Sequence, residues 1–378
     1  MDKETILAIC YDFDKTLSPD DMQAQGYIQS LGYEVSDFWA ESNRLSEEND
    51  MDQNLAYMYM MATKSRGKLI VNRERLRLDG SKVALFPGVE SWFRRVNAYG
   101  AKKGVTVEHY IISSGLKEMI EGTKVAGEFK KIYASSFYFD DDGVAVWPAQ
   151  VVNYTNKTQF LFRIEKGVLN VNDQDVNSYF TAAEYRVPFR NMVYIGDSDT
   201  DIPCMKLVTV NGGHAIGVYN AKTQDRSKVF RMLEENRIRY FAPADYEENS
   251  PLEILIKQII DRTVTNDALE RVHFSCMNEM RKETEGISRE ARHRDDLVNR
   301  LEDSTSFSTT HHVIAEMKSV ADWSEAQRNR LFEIALRNDQ VRSILRDHDV
   351  QRFYEKLLPN GGPLAEEVRK LLGHMLSR

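Results

Sequence analysis

The residues best suited to chemistry stand at the end of the first apolar run. Ile6-Leu7-Ala8-Ile9-Cys10-Tyr11 stops in Asp12-Phe13-Asp14, and Thr16 follows two residues later. A run of this length predicts a fully buried strand and is too short to span a membrane. Side chains at i and i+2 point the same way, so Asp12 and Asp14 project together from the strand's end. The crevice beyond strand carboxyl ends is where open α/β sheets bind ligands. Two carboxylates held there call for a cation between them, and hard oxygen donors suit Mg2+. Taken alone, the same residues also read as a polar turn.

Three further groups turn the balance away from a simple turn. His109-Tyr110-Ile111-Ile112-Ser113-Ser114-Gly115 ends a second apolar run, and Val193-Tyr194-Ile195-Gly196-Asp197-Ser198-Asp199-Thr200-Asp201 ends another. Between them Asn156-Lys157-Thr158 opens a helical pattern over 157–166, with Asn156 placed as its N-cap. A lysine in a first helical turn opposes the helix dipole, a local cost that suggests its charge is used elsewhere. Right-handed crossovers bring the ends of parallel strands to one edge. Asp12, Asp14, Ser113 and Asp197 then meet there, with Lys157 reaching in. Such a constellation suits phosphoryl transfer, which depends on positioning and charge stabilisation.

Together the four segments resemble the motifs of the haloacid dehalogenase-like hydrolase superfamily, over roughly Thr5 to Ile260. The resemblance is closest to the phosphoserine-phosphatase-like branch, whose cap is inserted after the first motif. It implies a Mg2+-dependent phosphatase working through an aspartyl-phosphate. By that likeness Asp12 is the nucleophile, and Asp14 is the general acid and then the base. Asp12, the Asp14 backbone carbonyl and Asp197 hold Mg2+. Ser113, the following backbone N–H and Lys157 bind the phosphoryl group, and Asp201 supports Lys157 or a metal-bound water. Ser114 is grouped with the substrate-binding residues, although close relatives often carry glycine there. Asp199 reads as a turn residue. An acid at Asp14 is kept by phosphatases and mutases of the superfamily and absent from its dehalogenases and phosphonate-cleaving members. Asp14-Lys15-Thr16 also imitates the P-type ATPase signature, but Leu17-Ser18 stands where that signature has Gly-Thr.

The elements that position these residues predict an α/β fold, a Rossmann-like parallel sheet with helices on both faces. Strands are expected at the first apolar run, Val105–Ile112, Lys131–Ala134, Arg190–Ile195, Ala215–Tyr219 and Tyr240–Ala242, with helices over 116–129 and 251–263. Phe137 to Trp147 reads as a hairpin around Asp142-Gly143. The catalytic core is assigned to 1–17 and 86–264. Residues 18–85 form a helical cap with helices at 21–31, 36–49, 52–66 and 72–79. Tyr57 to Met61 is read as the cap's own core. Arg66, Lys68, Arg73, Arg75 and Arg77 are read as a solvated face rather than an anion site. From Thr265 arginine outnumbers lysine, and residues 265–378 read as an appended all-helical domain of helices at 266–284, 287–302, 309–320, 324–337, 339–346, 349–358 and 364–376. Leu269, Val272, Cys276 and Met280 fall at helical spacing there.

The 378 residues, 42% hydrophobic and 29% charged, suit a soluble globular protein of two or three structural units. A net charge of -8 argues against a general nucleic-acid binder. Cys10, Cys204 and Cys276 have no metal-ligand spacing and suit a reducing compartment. With no signal-peptide pattern and no membrane-length apolar run, a cytoplasmic location is expected. The expected function is hydrolysis of a small phosphorylated metabolite. The alternatives are a phosphatase of a phosphoprotein or nucleic-acid end recruited through 265–378, and a non-catalytic binding or regulatory protein. Residues 265–378 are also read as a site for a protein partner or for self-association.

Overall fold

The computed structural model describes residues 4–181, 184–283, 289–360 and 362–376. The apolar runs build one seven-stranded sheet. Its strands are β1 (Ile6–Tyr11), β2 (Thr106–Leu116), β3 (Lys131–Phe139), β4 (Ala145–Gln150), β5 (Met192–Gly196), β6 (His214–Tyr219) and β7 (Tyr240–Pro243). The order is β4-β3-β2-β1-β5-β6-β7, parallel except for the β3–β4 hairpin. The chain leaves β1 toward β2 on one side and later returns to β5 on the other. The crevice between β1 and β5 is therefore a topological switch point.

Every residue of β1 is buried, and the strand's alternation divides the core. Leu7, Ile9 and Tyr11 pack with helices Val89–Lys102 and Pro251–Glu283 on one face. Ile6, Ala8 and Cys10 face the other cluster, which holds Phe160, Leu161, Cys204, Met205 and Met232 from helices Thr158–Lys166, Ile202–Val210 and Ser227–Glu234. The sequence reading assigns no element to the last two of these helices. Helix Ile202–Val210 is apolar nearly throughout, so it lacks the amphipathic period that reveals a surface helix.

Residues 18–85 hold the helices Tyr27–Ser30, Val35–Glu48, Gln53–Lys64 and Arg73–Gly80. Asp52 caps the third by accepting from Asn54 N and Leu55 N, and Asn72 caps the fourth. Tyr57, Met58, Met60 and Met61 are buried in the same cluster as the sheet's Leu7 face, while Tyr59 is exposed. Among the basic residues of this segment, Arg75 pairs with Asp79 and Arg77 with Glu121. None of the five lines the cleft described below.

Several boundaries differ from the sequence reading. The expected strand Lys131–Ala134 and the first arm of the hairpin are one strand, β3, and the Asp-Gly turn is closed by Asp140 Oδ1 accepting from Val144 N at 2.8 Å. The helix expected over 116–129 shrinks to Lys117–Ile120 and the 3-10 turn Ala126–Glu128. Gly122 lies against the Arg77 backbone, so the chain turns there instead of continuing as a helix. The helices expected at 251–263 and 266–284 are one 33-residue helix, Pro251–Glu283. A change in basic residues does not break a helix, and from Leu252 to Glu283 there is no glycine or proline to do so.

The chain divides into two compact units, Met1–Val272 and His273–Arg378. The second holds helices Arg289–Glu302, Phe307–Met317, Glu325–Arg337, Asp339–Ser343, His348–Leu357 and Pro363–Leu376. They close on their own core, including Leu297, Ile314, Leu331, Phe332, Tyr354 and Val368. The stripe Leu269, Val272, Cys276 and Met280 is exposed rather than buried. Among the described residues no helix is long and apolar enough to cross a membrane.

Candidate active site

The carboxyl ends of β1, β2 and β5 frame a cleft of about 510 Å³. Asp12, Asp14, Ser113, Ser114 and Asp197 all line it, and Lys157 and Asp201 lie directly behind.

The turn after β1 sets the two acids. Thr16 N, Leu17 N and Ser18 N all donate to Phe13 O, and Lys15 takes a left-handed φ of 57° to close the turn. Asp12 N donates to Ile195 O, which fixes the end of β1 against β5. The Asp12 Oδ1 accepts from Phe13 N at 2.8 Å and stands 3.4 Å from Lys157 Nζ. Asp14 Oδ1 accepts from Met22 N at 2.9 Å.

Lys157 is fully buried, an expensive position for a charge unless it is paired. Its Nζ donates to Asp201 Oδ1 at 2.8 Å. The same oxygen accepts from Tyr194 OH at 2.9 Å, and Asp201 Oδ2 accepts from Ser198 N and Oγ. Lys157 itself stands at the cap position of helix Thr158–Lys166, which starts one residue later than expected. Asn156 is not the cap: its amide accepts from Asn153 N and donates to Val151 O. Asp199 is exposed and paired with Arg231, in keeping with a turn role.

Two glycines explain features of the motifs. A Cβ at Gly115 would lie 2.9 Å from Asp14 Oδ2, and one at Gly196 would lie 2.5 Å from Asp201 Oδ2. Each carboxylate thus occupies the space that a side chain would take. Tyr194, Met22 and both glycines are positioning groups that the motif reading did not identify. A glycine beside an acid at a strand end was the available signal for Gly196.

The electrostatics follow from crowding acids in a partly dry crevice. Burial pushes the Asp12 carboxyl up to about 6, with Lys157 pulling it back and Asp201 adding to the rise. Burial, then Asp201 and Asp12, push Asp197 up to about 8. Asp14 is also raised, by burial and then by Asp21 and Asp12. Burial alone would lower the Lys157 ammonium, but Asp12 and Asp201 more than reverse it and keep it charged.

Oxygens of Asp12, Asp197 and Asp201 lie within 4.8 Å of one another. This is a hard donor set fit for a divalent cation, whose charge would relieve the repulsion that raises Asp12 and Asp197. Asp201 already accepts four hydrogen bonds, from Lys157, Tyr194 and Ser198, so it is the least available of the three. Asp12 and Asp197 line the cleft and are the better ligands.

An uncharacterised protein of Borreliella burgdorferi is 26% identical over 280 residues, 66% of this chain and 95% of the relative. A HAD-family hydrolase of Salmonella enterica serovar Typhi aligns at 17% identity and a TM-score of 0.40, over 58% of this chain and 65% of that one. A substrate-bound phosphoserine phosphatase aligns at 13% identity and a TM-score of 0.41, over 67% of this chain and 98% of the other. The family model for haloacid dehalogenase-like hydrolases matches residues 9–206, more than half of the chain, and runs from β1 through the turn that carries Asp197 and Asp201. The protein belongs to the haloacid dehalogenase-like hydrolase family.

Proposed function

We propose that this hydrolase is a Mg2+-dependent phosphatase that cleaves phosphate monoesters through an aspartyl-phosphate on Asp12. The observation that carries the reading is the placement of the Asp12 carboxylate in the cleft, between Ser113 and the paired ammonium of Lys157. Oδ1 of Asp12 is committed to Phe13 N, so attack falls to Oδ2. The new bond joins Oδ2 to phosphorus as the ester P–O bond breaks, and Asp14 gives its proton to the departing alcohol oxygen. The raised Asp14 carboxyl suits a group that must arrive protonated. Water then attacks phosphorus, Asp14 takes its proton, and the bond to Oδ2 breaks to release phosphate and restore Asp12.

Ser113 and the Ser114 backbone N–H orient the phosphoryl oxygens, and Lys157 neutralises them as a fixed point charge. Asp201 and Tyr194 hold the ammonium in place. Asp12, Asp197 and the Asp14 carbonyl would hold Mg2+, which would supply charge neutralisation at the transferring group. Residues 18–85 act as the cap: helix Gln53–Lys64 bonds to the core on both sides of the cleft, through Tyr57 OH to Ser114 O and Asn54 Nδ2 to Val152 O. A cleft of about 510 Å³, lined in part by residues 18–85, favours a small metabolite over a macromolecular substrate.

Asp12→Asn tests the mechanism, because an amide cannot attack phosphorus. Turnover of p-nitrophenyl phosphate should fall by at least about a thousandfold. The melting temperature should hold or rise, since one of several crowded acids is neutralised. Near-native turnover by a purified, folded Asp12→Asn protein would rule the nucleophile out.

A further inference from the structure

Opposite the phosphate-handling residues, the cleft wall has a polarity of its own. From residues 18–85 it takes Ser46, Asp52, Gln53 and Asn54, and from the core Asn153. Among the described residues, the cations at the cleft are Lys15 and Lys228, which both bear on Asp197 rather than on this wall. Lys15 is also paired with Asp21 at 2.9 Å.

Part of the wall's donor capacity is already spent. Asn54 Nδ2 gives its hydrogen bond to Val152 O, Asn153 Nδ2 to Asp52 Oδ2, and Ser46 Oγ to Met51 O. What the wall offers a ligand is the Asn54 carbonyl oxygen, the negative charge of Asp52, whose oxygens already accept from Asn54 N, Leu55 N and Asn153 Nδ2, the amide of Gln53 and the hydroxyl of Tyr154. One further group stands out. Ser114 Oγ is buried, lines the same cleft and has no hydrogen-bond partner. Its backbone oxygen accepts from Tyr57 OH, so the residue sits where the phosphate cradle meets the wall. A buried hydroxyl left unpaired is destabilising, and a substrate group that reaches it removes that cost.

We infer that the leaving alcohol carries additional hydrogen-bond donors, hydroxyl or ammonium, and no second anionic group, with Ser114, Asn54 and Asp52 as the contacts that select it. The inference rests on the phosphatase reading above. A wall with a fixed carboxylate and, among the described residues, no cation of its own complements donors. A carboxylate or second phosphate placed there meets the charge of Asp52 with no facing cation to offset it, which costs far more than a missing methylene.

Matched substrate pairs test this with the full-length chain in Mg2+. Ethanolamine phosphate and phosphoserine differ by one carboxylate, as do 2-hydroxyethyl phosphate and 3-phosphoglycerate; p-nitrophenyl phosphate is the reference. The member without the carboxylate should have the higher kcat/KM in each pair, by at least about tenfold. The faster pair distinguishes ammonium from hydroxyl donors. Gln53→Lys, at an exposed position on the wall, should narrow or reverse the gap. Ser114→Ala should raise KM for the preferred substrate more than for the aryl phosphate. Equal or inverted rates within both pairs, with the aryl phosphate still hydrolysed, overturn this inference alone. Failure to hydrolyse the aryl phosphate overturns the phosphatase reading and this inference with it.

Discussion

Gly196 decides whether Asp201 can reach Lys157. The carboxylate of Asp201 lies in the space a Cβ would fill at the end of β5, and its four hydrogen bonds leave it little room to retreat. Gly196→Ala should therefore destabilise the fold by about 1–3 kcal/mol through overpacking. It should also lower kcat more than it raises KM, because it displaces the partner of Lys157. Calorimetry and steady-state kinetics on the same sample check both, and an alanine variant with native kinetics would remove Asp201 from the catalytic support. The same crowding makes a prediction about pH. Asp197 and Asp12 are raised to about 8 and about 6, so between their ordinary values near 4 and these values the folded protein binds more protons than the unfolded chain. Stability without a cation then falls as pH rises across that window. Mg2+ competes with those protons, so the rise in melting temperature on adding it should be larger at pH 8 than at pH 6. At a hundred times its dissociation constant the cation contributes about 2.7 kcal/mol. A Mg2+ effect that ignores pH, or survives Asp197→Asn unchanged, would refute this.

At the scale of elements, the catalytic strands were readable because each ends an apolar run in polar residues whose types are tied to chemistry. Asp12 and Asp197 follow strand ends as expected, Ser113 lies three residues inside the end of β2, which runs past the expected Ile112 to Leu116, and Lys157 approaches from a helix start. What the sequence hid are contacts set by packing between distant segments. Met22 reaches Asp14 from eight residues away, and Tyr57 reaches Ser114 across 57 positions. Tyr194 reads simply as a strand residue until β5 is laid beside the turn that carries Asp201. The helix Ile202–Val210 escaped because it is apolar around most of its circumference, and the N-cap assignment failed because Asn156 bonds backward into its own loop. In the second unit, His311 ties helix Phe307–Met317 to the start of helix His348–Leu357. Its ring nitrogens lie 2.9 Å from Asp349 and 3.0 Å from Asp347, with Lys318 also near Asp349. The hydrogen bond to Asp349, then that to Asp347, raise its imidazole above the ordinary value. A raised histidine contributes stability that is fully present below its unfolded value near 6.5, and that is lost as pH climbs through its folded value. His311→Gln should thus lower the melting temperature at pH 6, with a gap that closes at higher pH. A constant gap across pH would show that the residue contributes only packing.

Over the whole molecule, the two units share a helix rather than a linker. Helix Pro251–Glu283 runs unbroken through the boundary expected after Val264, and the compact units divide between Val272 and His273. Residues 265–272 belong physically to the first unit. Asp267 Oδ2 accepts from Thr5 Oγ1 at 2.6 Å, just before β1 begins, and Glu270 pairs with Arg190 at 3.4 Å, just before β5. These contacts secure the entries of the two strands whose far ends carry Asp12 and Asp197. A hydrogen bond to a charged group contributes about 1.5–3 kcal/mol, and a partly exposed ion pair about 0–1. A chain ending at Val272 should accordingly melt at least about 2 °C above one ending at Val264. Both should hydrolyse p-nitrophenyl phosphate, since no residue lining the cleft lies beyond Lys228. The complementary chain 273–378 has its own buried core, from Leu297 to Leu372, and should unfold cooperatively by itself. Equal melting temperatures for the two shortened chains would mean that the contacts of Asp267 and Glu270 do not hold the catalytic strands. Aggregation of the chain ending at Val272 would mean that the helical unit is an obligatory part of one fold.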